Sequence, residues 1–488
     1  MWKNFKSRPV ICLVLVYVLT RLIFLANFPH FFDGPEYLRE SLKSNYWQSL
    51  QDSHESIHPV SLLLDQEIQK ITANFAGNNG WSLSFVAAAF GLIGLLSFYF
   101  LIKELFNQKI AFYSTIPLLF FSHLWLIQTN ILHEAVDQGL LVLGLFLWVK
   151  FLKVKKWQWL VAFVISLSLA LVNFVGIIIW FPLISGIILL KKKYLTKNNL
   201  IWSLIVILIS CLLAAGILVK LFQFSGINFS ERLQNLFFVY GGGAVVQKWG
   251  SAPLLRAIRN ILLIMVFGYS PIFLILSCST LLSFFKKEQW GRLAFVILFF
   301  LIFFLTGKFW YGGLFGRYST LIAYLLGLFL GLIGYRKKSR TKYWLLIFCL
   351  LFNFVPTFLT YQKKPIPLIQ VELLKRSYLK NNDLLIMSDY QRPQLPYSNA
   401  LFINGDLSIQ KNIERQIDLA LKSGKRVLIT QQALTFPYWQ YDGQQIHIIS
   451  YGDKNKAVIK QYLKNKKLQL IIEDKKYPLL NIYEIGHI

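Results

Sequence analysis

Two carboxylates stand three residues apart in the stretch His30-Phe31-Phe32-Asp33-Gly34-Pro35-Glu36-Tyr37. In a helix or turn, positions i and i+3 face the same way, so Asp33 and Glu36 can address one point. A carboxylate so placed can take the proton of an incoming hydroxyl. The competing role is structural: Asp33, two residues before Pro35, has the form of a helix N-terminal signal. His58-Pro59 follows further along. Proline at a first helical position is ordinary, so Pro59 has a sufficient structural reason. His58 either binds a substrate oxygen or is a solvated loop histidine.

A second set is His133-Glu134-Ala135-Val136-Asp137. Acids at a helix N-terminus are favoured by the dipole, which is reason enough for them structurally. On the same side as Asp33 they would also build a polar cluster. A mix of His, Glu and Asp on two loops can bind a divalent cation, but no ligand spacing here is diagnostic and no cofactor is expected. Lys308, Trp310, Arg317 and Tyr318 form a third set. A cation there suits a lipid-linked phosphate, which arginine contacts in bidentate fashion; the alternative is an anchor residue snorkelling to the interface. Arg21 lies deeper, inside an apolar run, and would meet a phosphate or pair with an acid such as Asp137.

The elements that must position these residues are membrane spans. Of 488 residues, 55% are hydrophobic and only 15% charged, against roughly 25% in soluble domains. So much apolar surface implies a polytopic membrane protein. The net charge of +28 would point to nucleic acid in a soluble chain. Here the basic residues sit in short clusters between apolar runs, so no nucleic-acid partner is expected. Cys12, Cys211, Cys278 and Cys349 all lie in apolar runs without a C-x-x-C, which implies neither disulfides nor a thiolate metal site.

The first apolar run, Val10 to about Ala26, reads as a retained span, because Arg21 interrupts it and no clear cleavage site follows. Further spans are expected near 81–102, 110–128, 138–152, 157–172, 175–190, 200–223, 260–285, 293–307, 319–334 and 343–360; the pair 157–172 and 175–190 also reads as one re-entrant element. With a cytoplasmic N-terminus, the inner segments carry more than twice as many lysines and arginines as the outer loops. Their only acids are Glu104 and Glu288. The positive-inside rule thus favours N-in, and about eleven transmembrane helices leave the C-terminus outside. The long loop 27–80 shows two apolar sets at helical spacing, Leu38, Leu42, Tyr46 and Leu64, Ile68, Ile71, each expected as an interfacial helix. Loop 224–259 carries Tyr240-Gly241-Gly242-Gly243, which is flexible backbone and too weak to be a phosphate loop.

From about residue 361 the pattern changes. Short β-rich runs at 384–388, 400–403, 426–430, 445–450, 468–473 and 481–485 alternate with helical stretches near 408–422 and 455–466. That predicts a small α/β domain over 361–488, after a membrane domain over 1–360.

In this order, Arg21, Asp33, Glu36-Tyr37, His58-Pro59-Val60, Asp137 and Arg317-Tyr318 make residues 8–335 resemble the GT-C superfamily of membrane glycosyltransferases. The resemblance is to its protein O-mannosyltransferase and aminoarabinose-transferase-like group, family 39-like. Two departures stand out. The mannosyltransferases have adjacent Asp and Glu where Gly34-Pro35 separates Asp33 from Glu36, so either is the base. Glu134 accompanies Asp137, so either is the family acid. The resemblance implies an inverting transfer of a sugar from a polyprenyl-phosphate donor to an acceptor hydroxyl, without metal, at the outer face of the plasma membrane. Asp33 or Glu36 would be catalytic; Arg21, Tyr37, His58, Glu134, Asp137, Lys308, Arg317 and Tyr318 would bind substrate. Membrane lipids are the surrounding partner; sugar and acceptor stay open. The rival reading is a transporter or flippase of lipid-linked sugars, which requires broken mid-membrane helices or an internal repeat.

Overall fold

The computed structural model describes residues 9–26, 34–52, 58–76, 80–174, 177, 196–228, 230, 321–335, 340–363, 382–388, 400–403, 407–434, 438–441, 446–449, 461–473 and 481–486. The chain divides into two compact units, one of residues 1–27, 40–360 and 443–445, the other of 28–39, 361–442 and 446–488.

The first unit is helical. Helix α1 (Pro9–Arg21) runs into a 3-10 turn at Leu22–Phe24. After α2 (Gly34–Ser41), which spans the boundary of the units, come α3 (Tyr46–Asp52) and α4 (Pro59–Ala76). Then follow α5 (Trp81–Leu105), α6 (Gln108–Thr115), a 3-10 turn at Ile116–Leu119 and α7 (Ser122–Thr129). Next are α8 (Glu134–Val154), α9 (Trp157–Asn173), α10 (Lys197–Phe224), α11 (Leu321–Tyr335) and α12 (Arg340–Lys363). Among the described residues α5, α8 and α10 are long and apolar enough to cross a membrane. Their lengths, roughly 32–42 Å at 1.5 Å per residue, exceed the roughly 30 Å hydrocarbon core. On α10, Leu204, Leu208 and Leu212 are exposed along one face, as lipid contact requires. The expected spans 175–190, 260–285 and 293–307 and the loop 224–259 lie wholly or mostly outside the described residues.

Helices α5 and α8 meet through glycines. A Cβ on Gly139 would come within 2.5 Å of the Phe90 carbonyl oxygen, and one on Gly94 within 3.3 Å of Gly139 Cα. Small residues at such a crossing let two backbones approach without a hydrophobic driving force. At their C-terminal ends Glu104 of α5 binds Lys150 (2.5 Å) and Lys153 (2.6 Å) of α8. Lys155 closes α8 in the left-handed region, φ 58°, with its N–H on Phe151 O, and two residues later α9 turns back.

The single span expected at 110–128 is instead two short helices with a turn between them. Pro117 has no N–H to give and clashes with a continuing helix, so the chain tightens into a 3-10 turn. The released carbonyls of Leu118 and Leu119 accept from the Arg21 guanidinium, at 3.3 and 2.7 Å.

Loop 27–80 also departs from expectation. Leu38, Leu42 and Tyr46 do not share a helix: α2 ends at Ser41 and Asn45 caps α3, its Oδ1 accepting from the N–H groups of Trp47 and Gln48. In α4 the polar face is the interior one. Ser61, Asp65, Gln66, Gln69 and Thr72 are buried with Leu62, while Ile71 is 64% exposed. Gln66 donates to Ser49 Oγ and to Glu40 O, and Tyr46 donates to Pro59 O, which ties α3 and α4 together.

The second unit holds a five-stranded sheet in the order β2-β1-β3-β7-β6. The strands are β1 (Leu384–Ser388), β2 (Ala400–Ile403), β3 (Val427–Thr430), β6 (Lys467–Ile472) and β7 (Ile482–Gly486). β2, β1 and β3 run parallel; β7 and β6 are antiparallel additions. Helix α13 (Leu407–Lys422) places Ile413 and Ile417 on Ile386, Val427 and Ile429, burial that stabilises by about 1.5–3 kcal/mol per side chain. A short helix α14 (Gln431–Leu434) and a hairpin of β4 (Tyr438–Tyr441) and β5 (Ile446–Ile449) complete the unit. Of the expected helix at 455–466, residues 461–463 are described and helical.

Candidate active site

The head of α8 is where the polar residues of the helical unit gather. His133 precedes the helix, and Glu134 and Asp137 occupy its first turn, where the dipole favours negative charge. The start of α4 brings His58, Ser61 and Asp65, and the end of α9 brings Asn173. All eight side chains of His58, Ser61, Asp65, His133, Glu134, Asp137, Gln138 and Asn173 are buried, none more than 4% exposed. Polar groups at the end of an apolar bundle are costly to bury, so a cluster of this size marks function before structure.

The cluster has two linked halves. In one, His133 Nε2 lies 2.9 Å from Asp65 Oδ2. Burial pushes the Asp65 carboxyl above the usual carboxylate range, and the hydrogen bond from His133 opposes that shift. In the other, Asn173 Nδ2 donates to Asp137 Oδ1 at 2.6 Å and to Ser61 Oγ at 2.8 Å, while Asn173 Oδ1 accepts from the Ser61 N–H at 2.7 Å. His58 joins the halves. Its ring meets His133 edge-on at 5.1 Å, stacks on Phe174 at 5.4 Å, and puts Nδ1 4.0 Å from Asp137 Oδ2. Pro59 opens α4 as expected, and the Leu62 N–H bonds His58 O at 3.0 Å.

Of the residues singled out by sequence, His58, His133, Glu134 and Asp137 are brought together here. Glu134 and Asp137 belong to the helix, not to the loop before it. Tyr37 is buried on α2. Glu36 is the third residue of α2, and its side chain, like Asp33, Lys308, Arg317 and Tyr318, lies outside the described residues. Arg21 is fully buried and committed to protein: Nε donates to Gln128 Oε1 at 3.2 Å, Nη1 to Thr20 Oγ1 and Leu119 O, Nη2 to Leu118 O. It also lies 5.0 Å from the Tyr17 ring. Its partners are these, and Asp137 is not among them.

Asp65, Ser61 and Asn173 were not proposed as site residues from sequence, and His133 was singled out there only as part of a set able to bind a cation. The signal for Ser61 and Asp65 was polar spacing on α4, where Ser61, Asp65, Gln69 and Thr72 recur at helical intervals. Asn173, a lone amide closing an apolar run, carried no local signal. Among the described residues no group of three or more His, Cys, Asp or Glu is arranged to hold a metal ion.

The comparisons with known proteins agree with this architecture. Residues 64–218 match the sequence model of the dolichyl-phosphate-mannose-protein mannosyltransferase family, a stretch that contains Asp65, His133, Glu134, Asp137 and Asn173. No curated protein matches the chain in sequence. In structure the chain is similar to ArnT from Cupriavidus metallidurans bound to undecaprenyl phosphate, with a TM-score of 0.58 and 11% identity, over 99% of this chain and 98% of that one. It is also similar to the apo oligosaccharyltransferase of Archaeoglobus fulgidus, with a TM-score of 0.54 and 13% identity, over 100% of this chain and 75% of that one. The archaeal oligosaccharyltransferase AglB with an inhibitory peptide and a dolichol-phosphate gives 0.52 and 11%, over 96% and 73%. The chain is thus a multi-pass membrane protein with the fold of the GT-C superfamily of membrane glycosyltransferases, and the family match over 64–218 bears out the resemblance read from its sequence.

Proposed function

We propose that this protein is an inverting glycosyltransferase that moves a sugar from a polyprenyl-phosphate donor to an acceptor hydroxyl at the outer face of the membrane. The observation that carries this reading is the buried acid–histidine–amide cluster at the head of α8 on a GT-C fold. The solved relatives bound to undecaprenyl phosphate and to dolichol-phosphate support a lipid-linked donor.

In the proposed reaction an acceptor oxygen attacks the anomeric carbon from the face opposite the leaving phosphate. The new C–O bond forms as the bond to the phosphate oxygen breaks. Asp33 takes the acceptor's proton, and the polyprenyl phosphate leaves with the electron pair. Arg317, with Lys308, neutralises the charge that develops on that phosphate. Asp137 and His58 contact sugar or acceptor hydroxyls from the cluster. Glu36 is the alternative base, and paired variants separate the two.

The test is sugar transfer by membranes carrying Asp33→Asn or Glu36→Gln, from a panel of polyprenyl-phosphate donors with radiolabelled hexoses and pentoses. Loss of a general base costs roughly 10²–10⁴-fold in rate, so Asp33→Asn is expected to fall by that order and Glu36→Gln by less. Undiminished turnover of Asp33→Asn rules out Asp33 as base.

One observation touches the transporter reading: the interruption between α6 and α7 is the kind of discontinuous helix from which transporters build ion sites. Here the freed carbonyls of Leu118 and Leu119 are occupied by Arg21, so the break is filled by the protein's own cation. Uptake of labelled lipid-linked sugar into sealed vesicles without covalent transfer would favour transport instead.

A further inference from the structure

Asn173 closes α9 with its side chain fully buried, and three elements meet on its carboxamide. Its orientation is set by chemistry. The backbone N–H of Ser61 can only donate, so it faces Oδ1; a carboxylate can only accept, so Asp137 faces Nδ2. Both amide hydrogens are used, one on Asp137 Oδ1 at 2.6 Å and one on Ser61 Oγ at 2.8 Å. The amide therefore holds the head of α8 against the first turn of α4.

The consequence falls on Asp137. Its Oδ1 is tied down, and the carboxylate plane is fixed by that bond. Its Oδ2 is buried without a hydrogen bond among the described residues, and stands 4.0 Å from His58 Nδ1. A buried carboxylate oxygen with no donor is expensive to keep, and a hydroxyl brought by a ligand satisfies it. We propose that Asn173 is a positioning residue for sugar transfer, locking the Asp137 carboxylate so that Oδ2 is presented to a hydroxyl of the sugar or the acceptor. This inference rests on the glycosyltransferase reading of the same cluster. Ser61 shares the role to a lesser degree, since it holds the amide rather than the carboxylate.

The experiment measures kcat and KM of the full chain in membranes, with the same panel of labelled polyprenyl-phosphate sugars, for Asn173→Ala, Ser61→Ala and the exchange Asp137→Asn with Asn173→Asp. Partners that orient the ligands of a metal site typically contribute roughly 10–100-fold, and the same order is taken for an amide that orients a carboxylate. Asn173→Ala is expected to lower kcat by about that factor with a smaller change in KM, because it loosens the carboxylate while leaving most of the donor's contacts in place. Ser61→Ala should lower kcat by about five-fold, the equivalent of one ordinary hydrogen bond. The exchange variant keeps a carboxylate–amide pair and the bond to the Ser61 N–H, so it should keep the wild-type thermal midpoint and remain inactive. Wild-type kcat in Asn173→Ala overturns the inference. So does recovery of turnover in the exchange variant, since the pair would then be only structural. If Asn173→Ala does not fold, Ser61→Ala and the exchange decide the matter alone. Absence of transfer by the wild type from every donor overturns the underlying reading and this inference with it; transfer by the wild type with insensitivity to Asn173 overturns the inference alone.

Discussion

His133 Nε2 and Asp65 Oδ2 are 2.9 Å apart with both side chains almost wholly removed from solvent. They join the residue before α8 to the second turn of α4. Breaking a buried pair by removing one partner costs on the order of 3–5 kcal/mol, because the other is left uncompensated. His133→Ala should therefore lower the thermal midpoint of the detergent-solubilised protein sharply, and Asp65→Asn added to it should recover part of the loss. Independent, additive effects of the two changes would show that they do not interact.

The same pair gives a pH dependence with a definite sign. In the unfolded chain Asp65 ionises near ~3.9; in the fold burial raises that value. Between the two values unfolding releases a proton, so raising the pH favours the unfolded state. Asp65 thus makes stability fall as pH rises from about 4 through its raised folded value. Comparing thermal midpoints of wild type and Asp65→Asn across that window should show a negative slope in the wild type that the variant lacks.

Gly139 sits two residues beyond Asp137, where α8 passes α5. An added methyl would lie 2.5 Å from the Phe90 carbonyl oxygen and 3.1 Å from its carbon, which are backbone atoms that cannot swing away. Gly139→Ala should cost roughly 1–3 kcal/mol by overpacking. It should also displace Asp137, and on the proposed role of that carboxylate in holding a substrate hydroxyl, a misplacement of about 1 Å would cost roughly 10²-fold in rate. Gly216→Ala in α10, where nothing lies within 4 Å of the new methyl, is the matched control and should be neutral or slightly stabilising. Equal activities in the two variants would contradict the close crossing.

How much of this was legible in the sequence follows from how local each cause is. The strands β1, β2, β3, β6 and β7 fall within a residue or so of the expected runs, because β-branched and aliphatic residues between turn signals declare themselves locally. Pro59 at the start of α4 was equally local. The interior face of α4 was not. Apolar periodicity at Leu64, Ile68 and Ile71 pointed to an apolar face at the membrane interface, but it said nothing of the opposite face, where Ser61, Asp65 and Gln69 turn inward. The break at Pro117 did carry a local signal, the proline itself with Ser114, Thr115 and Ser122 near it, but an apolar average over the length of a span passes over it. The bond of Asn173 to Asp137 was unreadable, since it spans 36 residues and depends on how α8 and α9 pack.

The sheet unit has its own titrating link. Asp418 on α13 accepts from the Tyr462 hydroxyl at 2.7 Å and from Lys466 Nζ at 2.9 Å, and these bonds, Tyr462 first, hold its carboxyl below the usual range. A depressed acid stabilises the fold above its unfolded pKa and loses that contribution as pH falls through its folded value. Asp418 is well exposed, so the contribution is small, about 0–1 kcal/mol. Protection factors of the α13 amides in the full chain, with exchange corrected for its intrinsic rate at each pH, should fall on acidification, and Tyr462→Phe should shift the onset to higher pH. An onset unmoved by Tyr462→Phe would remove the tyrosine from the account.

Arg21 separates a structural from a substrate role for a buried cation. Four of its hydrogen bonds go to protein: Gln128, Thr20 and the two carbonyls at the interruption between α6 and α7. Removing the guanidinium orphans those carbonyls, at about 1–3 kcal/mol for each buried group left unsatisfied. Lysine does not substitute, because a single ammonium cannot reproduce a planar fork that reaches both carbonyls and the Gln128 amide. Arg21→Gln and Arg21→Lys should therefore both lower the thermal midpoint, and both should do so in the absence of any donor. If Arg21 instead gripped a lipid phosphate, the variants would keep their stability and raise KM for the polyprenyl-phosphate donor. Measuring midpoint and KM on the same preparations distinguishes the two, and the packing of Tyr17 and Gln128 around Gly91 predicts the first result.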